Sequence, residues 1–279
     1  MLLYASDLDQ TLIYSERSRG MELDQNTMLP AETVDGRITS HISKLALERL
    51  QRIAAGIPFV PVTTRVLELY DRIHLFRDQV VPAYAITSNG AHILINGQID
   101  QEWHAYIMDD VRKLAAPASE AIAVFHTIAQ PEWVVRESYW EDTFFSVLVK
   151  REEMPYEQVM ALAPALEQLG WGLSIQGRKV YLVPFPVSKN RAIAHVKGLC
   201  GATHVIASGD SLLDLGLLQA ADEAIAPAHG ELYRAYGNGT LTDMSFGFTA
   251  RSGIVAAEDI LQFVADIMDR EGSYANEYR

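Results

Sequence analysis

The sequence of 279 residues has a single cysteine, Cys200. One cysteine excludes an internal disulfide framework and any metal site built from several thiolates. The surrounding residues, "HVKGLCGATHV", are typical of a helix end followed by a turn. We therefore interpret Cys200 as a packing residue and not as a nucleophile.

Basic residues are also few: 23 Lys and Arg stand against 36 Asp and Glu, which gives a net charge of -13. A nucleic-acid partner requires clusters of Lys and Arg that neutralise its phosphates. The composition therefore argues against nucleic acid as the main partner. It still allows a small phosphorylated molecule, because a local cationic pocket can lie inside an acidic protein.

Apolar runs long enough to span a membrane are absent, and acidic residues appear before a signal-peptide apolar region has developed. We expect no association with a membrane and a cytoplasmic location. Hydrophobic residues make up 49% of the chain, which is sufficient for a sizeable core.

Short apolar runs alternate with amphipathic helical patterns, which predicts an α/β fold around a parallel sheet. A helix is predicted from an N-cap at Ser40 to Gly56, because apolar residues recur there at helical spacing. The final helix, "GIVAAEDILQFVADIM", is expected to pack on the sheet and not on another subunit. The predicted parallel strands are "LLYASD", "IPFVPVTT", "VVPAYAITSNG" and "HVIASGD".

A stretch with a different pattern of predicted strands and helices separates the third and fourth of these strands. It opens with a hairpin through Asn96 and Gly97. Helices are predicted near 106–116 and 156–169. Strands are predicted in "AIAVFHTI", "EWVVRES", "TFFSVLVKR", "WGLSIQG" and "KVYLVPF". Successive strands with short turns indicate an antiparallel α+β module of residues 105–183, inserted into a core of residues 1–104 and 184–279.

The polar segment from Tyr14 to Thr39 separates the first strand from the first helix. One interpretation is an ordered loop or flap above the strand end, where α/β proteins bind ligands. The other interpretation is a mobile surface excursion, at least at its tip.

Polar residues follow the predicted parallel strands at the points where the strands end. In an open α/β sheet these ends converge on one crevice. Separately each group has a simpler explanation as turn or cap residues, but their occurrence at strand ends alone favours one site. Lys189 adds a cation at the start of a predicted helix. The groups are Asp7, Asp9 and Thr11; Thr63, Thr64 and Arg65; Ser88 and Asn89; and Ser208, Gly209, Asp210 and Asp214.

This set of residues suits phosphoryl transfer. Asp7, Asp210 and Asp214 are hard oxygen ligands whose mutual repulsion Mg²⁺ would neutralise. A carboxylate can also attack phosphorus and form an aspartyl phosphate. Asp9, two residues after Asp7, can protonate the leaving oxygen and then activate water.

The same residues resemble the haloacid dehalogenase (HAD) superfamily. "DLDQTL" is similar to the DxDxT motif, "PVTTR" to the second motif, Lys189 to the third, and "GDSLLD" to the GDxxxD motif. "TSNGAHI" and the closing segments resemble the Cof-type and sucrose-phosphatase-like subgroup. The resemblance implies a Rossmann-like parallel-sheet core with an inserted α+β cap of the C2 type.

The resemblance also implies roles for individual residues. Asp7 would be the nucleophile, and Asp9 the acid/base, whose backbone carbonyl also binds Mg²⁺. Thr63 and Lys189 would hold the phosphoryl group, while Asp210 and Asp214 would bind or support the metal. Backbone N–H groups near Leu8, Thr64 and Asn89 would be further phosphate donors. Substrate-binding residues are expected at Thr64, Arg65, Ser88, Asn89 and Arg178.

Two residues depart from the family pattern. Gln10 and Thr64 stand where glycine is usual, which would reshape the pocket without removing a chemical group. In the cap, Arg178 and Lys179 are interpreted either as substrate-reading residues or as solvated cations of a hairpin turn. Further cap candidates are His126, Trp133, Arg136 and Trp140, although lone aromatic residues at strand spacing more often belong to a core.

Three functions remain open from the sequence. The first is a Mg²⁺-dependent phosphatase of a small phosphorylated metabolite, for which we expect a sugar phosphate. The second is a phosphotransferase or mutase that passes the aspartyl phosphate to an acceptor hydroxyl. The third is a non-catalytic binding module, against which the acid/base Asp9 argues. The chain is expected to be a monomer or a weak homodimer.

Overall fold

The computed structural model of the chain describes residues 1–20 and 24–277. A parallel sheet lies at its centre, with strands in the order β14-β13-β12-β1-β4. In chain order these strands are β1 (Leu2–Ser6), β4 (Phe59–Pro61), β12 (His204–Ser208), β13 (Glu223–Ala226) and β14 (Gly247–Phe248). The α/β fold predicted from the sequence is therefore confirmed.

The two faces of the sheet bury alternate residues of β1. Tyr4 joins an apolar cluster on one face, whereas Leu3 and Ala5 join a second cluster on the other. This alternation follows from the two-residue repeat of a strand. Because both faces are covered, the strand is largely apolar up to Ser6, as expected for a parallel sheet between helical layers.

Helices form the two outer layers. Leu50 of α1 and Ile260 of α11 are fully buried on one face of the sheet, so the predicted packing of the final helix on the sheet is confirmed. Val196 of α8 and Leu217 of α9 are buried on the other face. The helices of the core are α1 (Lys44–Gly56), α2 (Leu67–Tyr70), α3 (Leu75–Asp78), α4 (Gln101–Leu114), α8 (Lys189–Cys200), α9 (Leu215–Ala220), α10 (Gly230–Gly237) and α11 (Ala256–Glu277).

The sheet continues beyond β4 through a short antiparallel meander of β5 (Tyr84–Thr87), β6 (His92–Ile95) and β7 (Gln98–Ile99). The Thr63 N–H donates to the Ile86 carbonyl at 2.8 Å, which aligns β5 with the chain after β4. Asn96 and Gly97 turn between β6 and β7 with φ values of 50° and 80°. Positive φ at both positions is the geometry that an Asn-Gly hairpin requires, so this prediction is confirmed.

A second antiparallel sheet, in the order β10-β11-β9-β8, forms the inserted cap. It has its own apolar core, in which Phe125, Val147 and Leu182 are fully buried. The strands are β8 (Val134–Trp140), β9 (Phe144–Val149), β10 (Trp171–Gln176) and β11 (Lys179–Pro184), and the helices are α5 (Ala118–His126), α6 (Tyr156–Met160) and α7 (Ala163–Gln168).

Three predictions inside the inserted stretch were wrong in detail. "AIAVFHTI" is not a strand but part of α5, which buries Ala121 and Phe125 at helical spacing. The helix predicted near 106–116 begins at Gln101, because the Asp100 carboxylate accepts from the Glu102 N–H at 3.0 Å and caps it. The helix predicted over 156–169 is interrupted between α6 and α7.

The polar segment after β1 contains a hairpin, β2 (Met28–Val34) and β3 (Arg37–Ser43), and is therefore not simply a loop. Its turn is Asp35-Gly36, with φ values of 49° and 75°. The predicted N-cap at Ser40 was wrong, since Ser40 lies in β3 and the Ser43 hydroxyl caps α1 by accepting from the Ala46 N–H at 3.1 Å. Part of the predicted loop, 21–23, lies outside the described residues.

No helix among the described residues is both long enough and apolar enough to cross a membrane.

Candidate active site

Asp7 lies where the central strand β1 ends. Its backbone N–H donates to the Ser208 carbonyl at 2.9 Å, which extends the pairing of β1 with β12 by one residue. The carboxylate is buried, and its Oδ2 accepts a hydrogen bond from the Thr11 hydroxyl at 3.1 Å. The strand therefore fixes Asp7 at the crevice where the parallel strands end.

Asp210 and Asp214 meet Asp7 from the turn that follows β12. One carboxylate oxygen of each residue lies within 4.8 Å of the others, and all three residues are buried. Ser211 holds Asp214 by donating to its Oδ2 through the hydroxyl at 2.7 Å and the N–H at 2.9 Å. A Cβ on Gly209 would lie 2.5 Å from the Asp214 Cβ, so the turn closes only around glycine.

Lys189 brings a cation into this acidic cluster from the first turn of α8. Its Nζ is fully buried and donates to Asp7 Oδ1 at 2.7 Å and to Asp214 Oδ1. A buried ammonium requires such partners, because desolvating an unpaired charge is strongly unfavourable. Burial alone would lower the pKa of Lys189, but the charges of Asp214 and Asp7 raise it above its usual value.

The carboxyl groups repel one another in this buried place. Burial raises the pKa of Asp7 to about 7, with Lys189 acting in the opposite direction and Asp214 adding to the rise. Burial, followed by the charges of Asp7 and Asp214, holds the pKa of Asp210 well above its usual value. One lysine therefore does not compensate three carboxylates, and the site favours a further positive charge.

The donor set fits a divalent cation such as Mg²⁺, which prefers carboxylate oxygens and main-chain carbonyls. Within the described chain, the Asp210 carboxylate accepts no hydrogen bond although it is buried. The main-chain carbonyl of Asp9 is likewise without a donor among these residues. Asp7, Asp210 and the Asp9 carbonyl are therefore the groups that would hold the ion, with Asp214 supporting through Lys189 and Ser211.

Thr63 and Thr64 follow β4 on the neighbouring strand end. Thr63 is buried, and its hydroxyl accepts from the Arg65 N–H at 3.1 Å. In the described part of the chain, the backbone N–H groups of Leu8 and Thr64 donate to no acceptor, so both remain candidates for binding an anion. Asn89 differs from this expectation, because its N–H donates to the Thr63 carbonyl at 3.0 Å.

Ser88 and Asn89 form a turn with left-handed backbone, with φ values of 51° and 57°. The Asn89 side chain donates to the Val187 carbonyl at 3.2 Å, just before α8 begins. The Ser88 hydroxyl donates to Glu141, a residue of the cap. Asn89 thus connects its turn to the start of α8, and Ser88 connects the same turn to the cap. Their predicted contact with substrate stays a prediction.

Arg65 does not extend freely into the crevice. Its guanidinium forms a bidentate pair with the Asp9 carboxylate, with nitrogen–oxygen distances of 2.7 Å and 2.8 Å. Partial burial acts to raise the pKa of Asp9, but the charge and hydrogen bonds of Arg65 hold it below its usual value. Glu32 of β2 contacts the same guanidinium at 3.1 Å. Sequence reasoning missed Glu32, although the Asp35-Gly36 turn signals the hairpin that carries it.

A cavity of about 570 Å³ lies beside Asp9, between the core and the cap. Tyr181 of the cap and Val66 of the core are among its walls, and cations outnumber acids in its lining. Its lining includes Asp9, Thr64 and Arg65 from the core and Trp140, Arg178 and Lys179 from the cap. A more apolar cavity of about 610 Å³, lined by Tyr70 and Phe76, lies away from the acidic cluster.

The remaining cap candidates are divided between core and surface. Trp133 is buried in the cap core, and His126 pairs with Glu137 at 3.0 Å. Of the four cap candidates His126, Trp133, Arg136 and Trp140, all within the described part of the chain, Trp140 alone lines the cavity. The cap also contacts the core directly, since Gln176 donates to the Ser211 hydroxyl at 3.0 Å. The cap is therefore closed over the crevice.

The same fold occurs in solved phosphatase structures. The sucrose-phosphatase of Synechocystis, solved with sucrose and phosphate, has a TM-score of 0.67 and 17% identity over 95% of this chain and 97% of that one. A sugar phosphatase of HAD subclass IIB has a TM-score of 0.62 and 13% identity over 96% and 99%. The C-terminal domain of trehalose-6-phosphate phosphatase from C. albicans has a TM-score of 0.53 and 11% identity over 95% and 92%.

No family model and no curated protein matches the sequence. At these identities the structural similarities show the fold, which is that of HAD-type cores with an inserted cap. The fold predicted from the sequence motifs is confirmed, and the activity has to be argued from the site itself.

Proposed function

We propose that the chain is a Mg²⁺-dependent phosphatase that hydrolyses a small phosphorylated metabolite through an aspartyl phosphate on Asp7. The observation that carries the proposal is the buried cluster of Asp7, Asp210 and Asp214 around Lys189, with Asp9 at its open side. Such a cluster is unfavourable unless a further cation completes it. The structures of similar fold, a sucrose-phosphatase and a sugar phosphatase, support this choice.

The reaction begins when a carboxylate oxygen of Asp7 attacks phosphorus. A bond forms between Asp7 and phosphorus and the bond to the leaving oxygen breaks. Asp9, after it has taken a proton from solvent, gives that proton to the leaving oxygen. Asp9 then takes a proton from water, and the water oxygen attacks the same phosphorus. Inorganic phosphate leaves and the Asp7 carboxylate is restored. Mg²⁺ would supply compensation for the negative charge that develops on the phosphoryl oxygens.

The protein supplies the remaining contacts to the phosphoryl group. Lys189 holds Asp7 in place and faces the same crevice. The unpartnered N–H groups of Leu8 and Thr64 and the Thr63 hydroxyl are the donors that would bind phosphoryl oxygens. Fixed donors of this kind act where charge develops, which makes them effective in a water-poor site.

The cavity beside Asp9 would hold the rest of the substrate. Its volume of about 570 Å³ lies within the range of small-ligand pockets. Arg17 and Arg178 line it without a side-chain hydrogen bond or ion pair among the described residues, and Lys179 adds a third cation. This lining favours a polar substrate such as a sugar phosphate, with Arg178 binding its distal polar groups.

The division into cap and core is part of this proposal. Residues from Ala121 to Leu182 form the separate apolar core of the cap. By contrast, Trp103 and Ile107 of α4 pack against the parallel sheet of the core. Helix α4 is therefore the connection from the core to the cap. We place the cap at residues 105–183 and assign it the choice of substrate.

The test is hydrolysis of p-nitrophenyl phosphate with and without Mg²⁺, in the wild type, Asp7→Asn and the surface control Asp243→Asn. We expect Mg²⁺-dependent phosphate release in the wild type and the control, and none in Asp7→Asn. Release of p-nitrophenol that rises only when an acceptor alcohol is added, without a matching release of inorganic phosphate, would instead indicate a phosphotransferase or mutase. Absence of turnover in all three proteins would indicate a binding module.

A further inference from the structure

The Arg65 guanidinium lies between two carboxylates, one on each edge. On one edge, Nε and Nη2 contact the two oxygens of Asp9 at 2.7 Å and 2.8 Å. On the other edge, Nη2 and Nη1 contact the two oxygens of Glu32 at 3.2 Å and 3.1 Å. Nη1 also donates to the Leu69 carbonyl at 3.2 Å. Four of the five N–H groups of the guanidinium thereby donate hydrogen bonds, and the contact of Nη1 with Glu32 is an ion pair.

The two carboxylates differ in burial. The side chain of Asp9 is 49% exposed and faces the cavity, whereas those of Arg65 and Glu32 are 13% and 9% exposed. Glu32 is therefore the fixed partner of Arg65, and Asp9 is the partner that a ligand in the cavity would contact. A buried bidentate pair of this kind restricts the orientation of the arginine more than an exposed pair does.

The hairpin after β1 delivers Glu32 to this position. The pairing register between β2 and β3 shifts on both sides of Glu32, which is the effect of a β-bulge that redirects a side chain. Tyr14 and His41 exchange two backbone hydrogen bonds of 2.8 Å, which join β3 to the loop that carries Asp9. The Ser40 hydroxyl also lies against Glu32.

We propose that Glu32 is a positioning residue, which anchors Arg65 and through it fixes the Asp9 carboxylate beside the leaving oxygen of the substrate. This inference rests on the proposed function, because it assigns Glu32 a part in proton donation by Asp9. The hairpin insertion is then a component of the active site. Arg65 serves as the link between Glu32 and Asp9 and is not primarily a substrate-binding residue.

The proposal predicts a dependence on the leaving group. When the bond to phosphorus breaks, Asp9, protonated from solvent before this step, gives its proton to the leaving oxygen, and a poor leaving group needs that proton more than a good one. The anchor acts on the position of Asp9 and does not supply the proton. Loss of the anchor should therefore reduce kcat/KM strongly for phenyl phosphate and weakly for p-nitrophenyl phosphate. The parameter kcat/KM is suitable because it includes steps up to leaving-group departure and excludes hydrolysis of the aspartyl phosphate.

The experiment compares Glu32→Gln with the wild type on these two substrates. Glu258→Gln is the matched control, since Glu258 is also buried, pairs with Arg251 at 3.1 Å and accepts from Ser43 at 2.8 Å, but lies away from Asp9. We expect Glu32→Gln to lose about tenfold in kcat/KM for phenyl phosphate and less than about threefold for p-nitrophenyl phosphate. The control should reduce both values equally or leave them unchanged.

An equal loss on both substrates in Glu32→Gln would overturn the proposal, because a purely structural role affects both alike. Arg65→Lys is a second variant, since lysine keeps the charge but not the two-edged geometry. It should reproduce the selective loss, and wild-type kinetics in Arg65→Lys would also overturn the proposal. If the wild type hydrolyses neither ester, the proposed function itself fails, which is a different outcome from an active enzyme without leaving-group selectivity.

Discussion

At the scale of single residues, the site depends on buried charges that the backbone holds close together. Lys189 contacts both Asp7 and Asp214, whereas the side-chain carboxylate of Asp210 has no hydrogen-bond donor among the described residues. Gln10, next to the proposed acid/base Asp9, has a left-handed backbone with φ of 65°. The departure from glycine at this position therefore places strain beside the acidic cluster.

Replacing Gln10 with glycine should stabilise the protein by up to about 1 kcal/mol. A residue with a Cβ loses about 1–2 kcal/mol in the left-handed region, and the greater flexibility of unfolded glycine offsets part of the gain. Urea unfolding of Gln10→Gly measures the change. Gln79→Gly is the control, because Gln79 has φ of -127° and should be destabilised by glycine. A lower stability of Gln10→Gly would contradict the inferred strain.

His229 should make stability depend on pH. Its Nε2 donates to the Gln10 carbonyl at 2.8 Å, and its Nδ1 accepts from the Gly253 N–H at 3.2 Å, so the neutral ring satisfies both contacts. Burial is the main cause that lowers the pKa of His229 below the ordinary value of 6.5. The unfolded chain therefore binds the extra proton first, and stability is lost as the pH falls below about 6.5.

Unfolding of the wild type and His229→Gln between pH 7.5 and 5, read as the difference between the two proteins, checks this expectation. The wild type should lose more stability than His229→Gln over this interval. An identical pH dependence in both proteins would show that His229 does not contribute. Comparing the two proteins removes the contribution of the acidic cluster, which both share.

At the scale of secondary-structure elements, the hairpin β2–β3 connects the first strand to the first helix and also reaches the site. Ser43 ends β3 and caps α1, and its hydroxyl donates to Glu258 of α11 at 2.8 Å. One side chain thus joins the hairpin, α1 and α11. This arrangement explains why the helix begins three residues later than its apolar pattern predicts.

Ser43→Ala should destabilise the protein by about 1–2 kcal/mol, because it removes a helix cap and leaves a buried carboxylate with one donor fewer. Ser40→Ala, at the N-cap predicted from the sequence, should cost less, since its hydroxyl makes only a long contact of 3.5 Å to Glu32. Urea unfolding of the two variants gives the comparison. The reverse order would contradict the observed cap.

The elements that could be predicted from the sequence are those whose signals are local. Asn96-Gly97 specifies its hairpin, and the apolar strand of Tyr4 ends at Asp7 as expected. The prediction of a strand in the segment of α5 was wrong because Ile122 and Val124 favour a strand locally. The helix instead buries Phe125 in the core of the cap. The contact of Glu32 with Arg65 joins residues 33 positions apart, and no local pattern encodes it.

At the scale of the whole molecule, the crevice between core and cap collects residues from distant parts of the chain. Strand ends of one parallel sheet must converge, so the meeting of Asp7, Lys189 and Asp210 could be predicted from their places after strands or at a helix start. The closure of the cap over them could not, because it depends on contacts such as Gln176 with Ser211. The predicted cytoplasmic location and the monomeric or weakly dimeric state stay predictions.

Binding of Mg²⁺ should stabilise the folded protein. The ion would offset the burial and the repulsion that together raise the pKa of Asp7 and Asp210. A ligand at about 100 times its dissociation constant stabilises by about 2.7 kcal/mol. Thermal unfolding with and without Mg²⁺ should show a higher Tm for the wild type and a smaller shift for Asp210→Asn. A shift of equal size in both proteins would place the ion elsewhere.

The most direct measurement is a crystal structure of the protein with Mg²⁺ and beryllium fluoride, which imitates a phosphoryl group on a carboxylate. The account predicts a beryllofluoride group bonded to the Asp7 side chain, with Mg²⁺ between Asp7 and Asp210. A structure that contained Mg²⁺ in this cluster but beryllofluoride on another residue, or none on Asp7, would contradict it.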